Sequence, residues 1–198
     1  FTAVLTCWEM ELRVKELFAL IFLLVPGVFG LFMSLDLFFI FVWFDVSLFP
    51  MYLLIAIWGS TRKEYGAMKL TLYLLAGSAL ILPAIVYLVV HSGAMTFDLL
   101  ALMEGDRFTP AQQRIAFFLL YIGFGILAGV FPFHTWSPVG HVAAPTAVSM
   151  IHAGVLMKIG AFGILRVGIF LCPEGWQFWA PLMAVLATCG IVYGTFVG

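Results

Sequence analysis

An aspartate and a lysine stand inside long apolar stretches of this sequence, each far from a polar segment. Asp45 lies within residues 38–50 (FFIFVWFDVSLFP), and Lys158 lies within residues 154–161 (GVLMKIGA). An ionised side chain at the centre of a bilayer costs roughly 2.5–3.5 kcal/mol on insertion scales, and such residues usually serve a function. We therefore expect both to take part in proton transfer. The alternatives are a neutral, hydrogen-bonded packing aspartate and a lysine that permanently neutralises one buried carboxylate.

Three further residues could extend a proton path. Lys69 lies one to two turns into an apolar stretch, where its side chain can also reach the interface. His152 precedes Lys158 by six residues, which places the two on different helix faces. Histidine changes charge near neutral pH, so His152 either relays protons or bonds a neighbouring helix. His134, like His141, flanks an expected interfacial turn at residues 136–138, where a structural role competes with a proton role.

The elements that must position these residues are transmembrane helices. The chain of 198 residues is 64% hydrophobic and 10% charged, whereas soluble domains are about 45–50% apolar and about 25% charged. The apolar runs are continuous rather than alternating, which favours helices over barrel strands. A net charge of −1 gives no basic surface for nucleic acid. We predict an all-α, polytopic bundle of about six helices at residues 17–35, 37–59, 64–90, 112–136, 146–171 and 176–198, with residues 1–8 ending an earlier helix.

One helix is expected to break between Gly129 and Pro132, because proline and glycine remove backbone hydrogen bonds that lipid cannot replace. Transporters build ion sites at such breaks. Small residues surround Lys158 in the sequence. They allow close helix contact and should keep the lysine within protein. They are Ala153, Gly154, Gly160, Ala161 and Gly163.

The connections at residues 9–16 and 59–66 carry lysine and arginine and share one side of the membrane, which is predicted to be cytoplasmic. No shift in composition divides the chain, so residues 1–198 are expected to form a single membrane domain. Because the sequence starts at Phe1 without methionine and stops within an apolar run, we expect it to be part of a longer chain.

Four segments resemble the antiporter-like subunits of respiratory complex I, and most closely the subunit M (chain 4) type. These are residues 49–59 (FPMYLLIAIWG), 68–73 (MKLTLY), 132–136 (PFHTW) with 144–150 (APTAVSM), and 153–166 (AGVLMKIGAFGILR). The resemblance implies about fourteen helices in two inverted repeats, of which this chain would cover roughly helices 3 to 9. It also implies that Asp45 occupies the position of a helix 5 glutamate and Lys158 that of a helix 8 lysine.

The sequence departs from the family pattern at three points. Asp45 is one methylene shorter than the usual glutamate. The position of the usual helix 7 lysine, five residues before Pro132, holds Leu127. The usual Leu-Pro-Asp-Ala-His turn reads Ser-Pro-Val-Gly-His at residues 137–141. Without the central lysine, His152 or water takes over its step, or the proton route is altered or lost.

The resemblance implies a proton-translocating membrane subunit of an NADH:quinone oxidoreductase, an enzyme to which this chain would contribute no redox centre. Cofactors are expected only in partner subunits: NADH, FMN, iron–sulfur clusters and quinone. Expected partners are the adjacent membrane subunits and the lipid bilayer, in a bacterial inner membrane or an organellar inner membrane.

Three other functions stay open beside this one. The chain could belong to a cation/proton antiporter or a membrane-bound hydrogenase, or it could be a non-pumping structural spacer, which Leu127 favours. A haem carrier ligated by His134 and His141 is disfavoured, because Pro138 and Gly140 are expected to interrupt the helix between them.

Overall fold

The computed structural model describes residues 2–8, 10–104 and 107–197, and nearly all of them are helical. The α-helices, in chain order, are α1 Thr2–Thr6, α2 Val14–Met33, α3 Leu37–Trp58, α4 Lys63–His91, α5 Leu99–Met103, α6 Pro110–Ala128, α7 Trp136–Ala143, α8 Thr146–Ile151, α9 Met157–Gly163 and α10 Pro173–Val197. A 3-10 turn, Phe133–Thr135, precedes α7, and two π-helical segments, His152–Leu156 and Ile164–Ile169, flank α9. The predicted all-α architecture is confirmed.

Six helical segments of the described chain are long and apolar enough to cross a membrane. They are Val14–Met33, Leu37–Trp58, Lys63–His91, Pro110–Ala143, Thr146–Ile169 and Pro173–Val197. These segments correspond to the six predicted helices. The sequence could predict them because a helix that crosses a bilayer needs about 20 consecutive apolar residues, and each run supplies that length.

Helices α2, α3, α4 and α6 pack in sequence order, and their inward faces form one apolar core. Leu54 and Ile55 of α3, Ile81 of α4 and Leu120 of α6 are each fully buried in it. Helix α10 packs against α6, but Gly175 is its only buried residue among those that the structure describes. Its outer face is therefore the most open surface of the described chain.

The two basic connections lie at the same end of the bundle, as predicted. The indole Nε1 of Trp58 donates a 2.6 Å hydrogen bond to the carbonyl of Leu12, joining the two segments. At the other end, the amide of Leu37 donates to the carbonyl of Phe97, and the amide of Leu99 donates to the carbonyl of Leu35. These two hydrogen bonds form an isolated β-bridge. The short helix α5 follows this bridge.

The helix break lies where the sequence predicted it. Helix α6 ends at Ala128, and Gly129 adopts a left-handed conformation with φ 72°, which glycine alone adopts without strain. The peptide bond between Phe131 and Pro132 is cis. Trp136 donates a 2.9 Å hydrogen bond from Nε1 to the carbonyl of Ile126, satisfying one of the acceptors that the break exposes.

The expected interfacial turn at residues 136–138 is wrong, because helix α7 runs through Pro138 from Trp136 to Ala143. Pro138 is the third residue of α7. Amides in the first turn have no partner within a helix, so a proline there removes no hydrogen bond. The argument that Pro138 and Gly140 interrupt a helix therefore fails, although His134 lies before α7 and His141 within it.

Candidate functional site

Asp45 lies in the middle of α3, and one hydrogen bond holds its carboxyl group. The hydroxyl of Ser78, in the middle of α4, donates to Oδ1 of Asp45 at 2.7 Å. Ser78 is buried and Asp45 is half-buried. No ion pair reaches Asp45 in the parts of the chain that the structure describes. An intramembrane carboxyl group without a cation can change its charge by taking up or releasing a proton.

Lys158 lies on α9 with its side chain exposed, and no hydrogen bond or ion pair within residues 2–8, 10–104 and 107–197 involves it. Within the described residues the small residues do not enclose the lysine, and its placement within protein stays a prediction. Ala153, Gly154 and Ala161 are exposed as well. Because residues 154, 158 and 161 follow the spacing of one helix face, this face stands open around the lysine.

The remaining small residues pack α9 against α6 on the opposite side. A Cβ atom placed on Gly160 would lie 2.5 Å from the amide nitrogen of Ala128 and 2.5 Å from the carbonyl oxygen of Phe124. One on Gly163 would overlap the ring of Phe124. These close contacts fix the direction in which Lys158 faces, because α9 cannot rotate without separating from α6.

Lys69 is half-buried in the second turn of α4. Its ammonium group lies 6.0 Å from the ring centroid of Tyr65, at the outer limit for a cation–π interaction. One turn further along α4, the hydroxyl of Tyr73 lies 3.0 Å from that of Thr135, beside the helix break. The face of α4 that carries Lys69 therefore continues to the break.

His152 is 2% exposed, and neither of its ring nitrogens has a hydrogen-bond partner. Its ring lies 5.2 Å from that of Trp136 and 4.9 Å from that of His141, both in edge-to-face geometry. His141 is itself bonded through Nδ1 to the hydroxyl of Ser149 at 2.8 Å. An unpaired buried polar group costs about 1–3 kcal/mol, which makes His152 a candidate for a role beyond packing.

His134 lies in the 3-10 turn that directly follows the break. It stacks on Phe131 with centroids 5.5 Å apart and meets Tyr193 of α10 edge-on at 4.9 Å. Its Nδ1 is buried without a partner. The two histidines of the 132–141 segment therefore belong to different surroundings, which does not fit two axial ligands of one haem.

No hydrogen bond or ion pair joins any two of the five predicted site residues Asp45, Lys69, His134, His152 and Lys158 within the described ranges. The sequence does not point to Ser78, which bonds Asp45. For His141, which flanks the expected turn, it leaves a structural role in competition with a proton role. Leu127, at the position of the usual lysine, is 1% exposed and packs in the core. The proton-transfer role of the five residues stays a prediction.

Helical spans interrupted at a glycine–proline break, with ionisable residues at mid-span, are typical of multi-pass membrane transport proteins. Residues 34–198 match the family described as NADH:quinone oxidoreductase/Mrp antiporter, transmembrane. The chain belongs to that family.

Among curated proteins, the chain is 36% identical over 195 residues to the NAD(P)H-quinone oxidoreductase chain 4 2 of Microcystis aeruginosa and 38% identical over 195 residues to the chain 4 3 of a Picosynechococcus species. Each match covers 98% of this chain and 35% of the relative, so the chain spans about a third of their length.

Among solved structures, respiratory complex I from Thermus thermophilus matches with a TM-score of 0.84 and 28% identity over 91% of this chain and 38% of the matched chain. The membrane-bound sulfane sulfur reductase, an archaeal respiratory complex, matches with a TM-score of 0.79 and 23% identity over 88% of this chain and 36% of its own. The second likeness shows the shared fold alone.

Proposed function

We propose that this chain forms part of a proton-translocating membrane subunit of an NADH:quinone oxidoreductase. The observation that carries the proposal is the carboxyl group of Asp45 at mid-span, which bonds the hydroxyl of Ser78 and no other group among the described residues. A hydroxyl can donate to a carboxylate or accept from a carboxylic acid, so the contact persists while the proton comes and goes. The family and the complex I relatives support this function.

In this proposal Asp45 takes up a proton, and the histidines and lysines pass it on. Lys69 stands on the α4 face that leads to the break, and His152 with His141 forms a buried site beside it. Lys158 receives the proton on its open face. In this proposal water bridges these groups, since no hydrogen bond joins them in the part of the chain that the structure describes.

In this proposal, electron transfer takes place in the partner subunits, which hold NADH, FMN, iron–sulfur clusters and quinone. The chain itself lies in a bacterial inner membrane, or in an organellar inner membrane, beside other antiporter-like subunits. Moving one charge against a membrane potential of 100 mV requires about 2.3 kcal/mol, which quinone reduction in the partners would supply.

A non-pumping spacer is the second candidate, and one observation favours it. Leu127 fills the place of the usual helix 7 lysine and is enclosed in the core, so nothing at that position can carry a proton. A cation/proton antiporter or a membrane-bound hydrogenase is a further alternative, because the same fold occurs in other membrane complexes.

The test is proton transport by the full complex in vesicles, measured together with NADH oxidation. Asp45→Asn and Lys158→Ala should each lower transport at least about tenfold, while quinone reduction continues uncoupled or slows. Glu64→Gln and Lys15→Ala are matched controls, because both side chains are exposed outside mid-span. Full transport in both test variants would favour the spacer.

A further inference from the structure

A groove of about 340 Å³ lies at the end of the bundle that carries the two basic connections, between the start of α4 and helix α7. Polar residues line one side of it, and apolar residues of α7 line the other. The polar side consists of Thr61, Arg62 and Tyr65, and the apolar side includes Val139 and Val142. The groove therefore joins a cationic rim to an apolar wall.

The two sides of the groove are fixed against each other. The amide of Ser60 donates a 2.8 Å hydrogen bond to the carbonyl of Ala143, and the Ser60 hydroxyl donates one of 3.0 Å to the carbonyl of Val142. A Cβ atom placed on Gly66 would overlap the Cβ atom of Ala143, so α4 and α7 are in direct contact here. The groove is therefore a permanent feature of the surface between two packed helices.

The charge of the rim is positive. Arg62 is exposed, and no ion pair among the described residues involves it. Tyr65 and Lys69 follow at intervals of three and four residues, on the same face of α4, and the ammonium group of Lys69 lies 6.0 Å from the Tyr65 ring. Glu64 is two residues from Arg62 and faces another direction. No acidic side chain lines the groove in the part of the chain that the structure describes, so the rim attracts an anion.

The position of the groove narrows the occupant to a lipid. Val142 is 72% exposed and stands at the end of the span Pro110–Ala143, where the bilayer meets water. Arginine binds phosphate oxygens in a bidentate manner, and basic residues at the membrane surface attract anionic lipids. A free phosphate ion would leave the apolar wall uncovered, whereas a lipid without net charge would leave Arg62 without a counter-charge. An anionic phospholipid matches both sides.

We propose that this groove binds an anionic phospholipid, with its phosphate group at Arg62 and an acyl chain along Val139 and Val142. The hydroxyl of Thr61 and the phenol of Tyr65 can donate further hydrogen bonds to the head group. The proposal concerns lipid binding alone and is independent of whether the subunit transports protons.

The experiment is photolabelling of the full complex in lipid nanodiscs, followed by mass spectrometry of the labelled peptides. One probe is phosphatidylglycerol and the other is phosphatidylcholine, and both carry the same diazirine-bearing acyl chain. Phosphatidylglycerol should label residues 138–143 at least about fivefold more than phosphatidylcholine. Equal labelling by both probes would show an unselective acyl contact, and labelling by neither would show that protein covers the groove; either result overturns the proposal.

Variants at Arg62 test whether the preference comes from its charge. Arg62→Gln should lower phosphatidylglycerol labelling about fivefold, to the level of phosphatidylcholine, whereas Arg62→Lys should keep most of the preference. Arg13→Gln is the matched control, because Arg13 is also an exposed arginine in a left-handed conformation directly before a helix, but it does not line the groove. An undiminished preference in Arg62→Gln, or an equal loss in Arg13→Gln, would contradict a site at Arg62.

Discussion

The hydroxyl of Ser78 donates a 2.7 Å hydrogen bond to the carboxyl group of Asp45, which connects the middle of α4 to the middle of α3. A serine inside a helix commonly bonds a carbonyl of its own preceding turn, as Ser47 does with Trp43. Ser78 instead reaches across the helix interface. Asp45 therefore keeps a fixed orientation, and no cation among the described residues neutralises it.

Removing that hydroxyl should impair proton transfer without unfolding the protein. A hydrogen bond to a charged group contributes about 1.5–3 kcal/mol, so we expect Ser78→Ala to slow proton transport about tenfold, as measured by dye quenching in vesicles. Ser34→Ala is the control, since Ser34 bonds Gly30 within its own helix. Equal transport by both variants would show that Ser78 does not serve Asp45.

His152→Leu should change stability and transport in opposite directions. Replacing an unpaired buried imidazole by an apolar side chain removes its desolvation cost, so we expect the thermal midpoint of the complex to rise or stay constant. If the histidine pair carries protons, transport should fall at least severalfold. A matched fall in stability and transport would assign His152 a packing role only.

A lysine restored at position 127 should not fit the present packing. Leu127 is 1% exposed in the core, and burying an unpaired ammonium group there would destabilise the folded state. We expect Leu127→Lys to reduce the amount of assembled complex, whereas Leu127→Met should cost less than about 1.5 kcal/mol. The measurement is thermal unfolding of the purified complex. Normal stability of the lysine variant would reveal a hydrated space beside this position.

Gly160→Ala should separate α9 from α6. The new Cβ atom would meet backbone atoms of Ala128 and Phe124, which cannot move aside. Alanine otherwise stabilises a helix by roughly 0.5–1 kcal/mol relative to glycine, so Gly154→Ala, in open space, should be neutral or stabilising. Comparing the unfolding temperatures of the two variants isolates the contact. A destabilised Gly154→Ala would contradict this explanation.

The thiol of Cys172 should resist alkylation. It lies outside the six spans, and burial raises its pKa to about 12. The raised pKa keeps the thiol protonated through neutral pH, and only the thiolate reacts. We expect N-ethylmaleimide to leave Cys172 unmodified in the folded complex at pH 7–9 and to modify it after denaturation, as read from the peptide masses. Rapid modification of the folded protein would show that the site opens.

The positions of the helices could be predicted from sequence because each span is a continuous apolar run, and a charge within such a run is visible at once. Asp45 and Lys158 were found in this way. Ser78 could not be found, because its role depends on which helix lies beside it. Helix α7 was missed because proline at residue 138 was interpreted as a break, although its place in the first turn is harmless.

The exposure of the Lys158 side chain could not be predicted from the sequence, for a different reason. Small residues predict that helices can approach closely, but they do not say which face is approached. Gly160 and Gly163 contact α6, while Gly154 remains open. The direction of the lysine follows from that choice of face.

The two π-helical segments around α9 have a consequence for how this helix tolerates changes in length. A π turn holds one residue more than an α turn, since its hydrogen bonds run from i to i+5. Deleting one residue within His152–Leu156 would convert that segment to α-helix and leave both neighbours in place. Single-residue insertions and deletions among homologues should therefore concentrate in these two segments, while Met157–Gly163 keeps its length and Lys158 its direction.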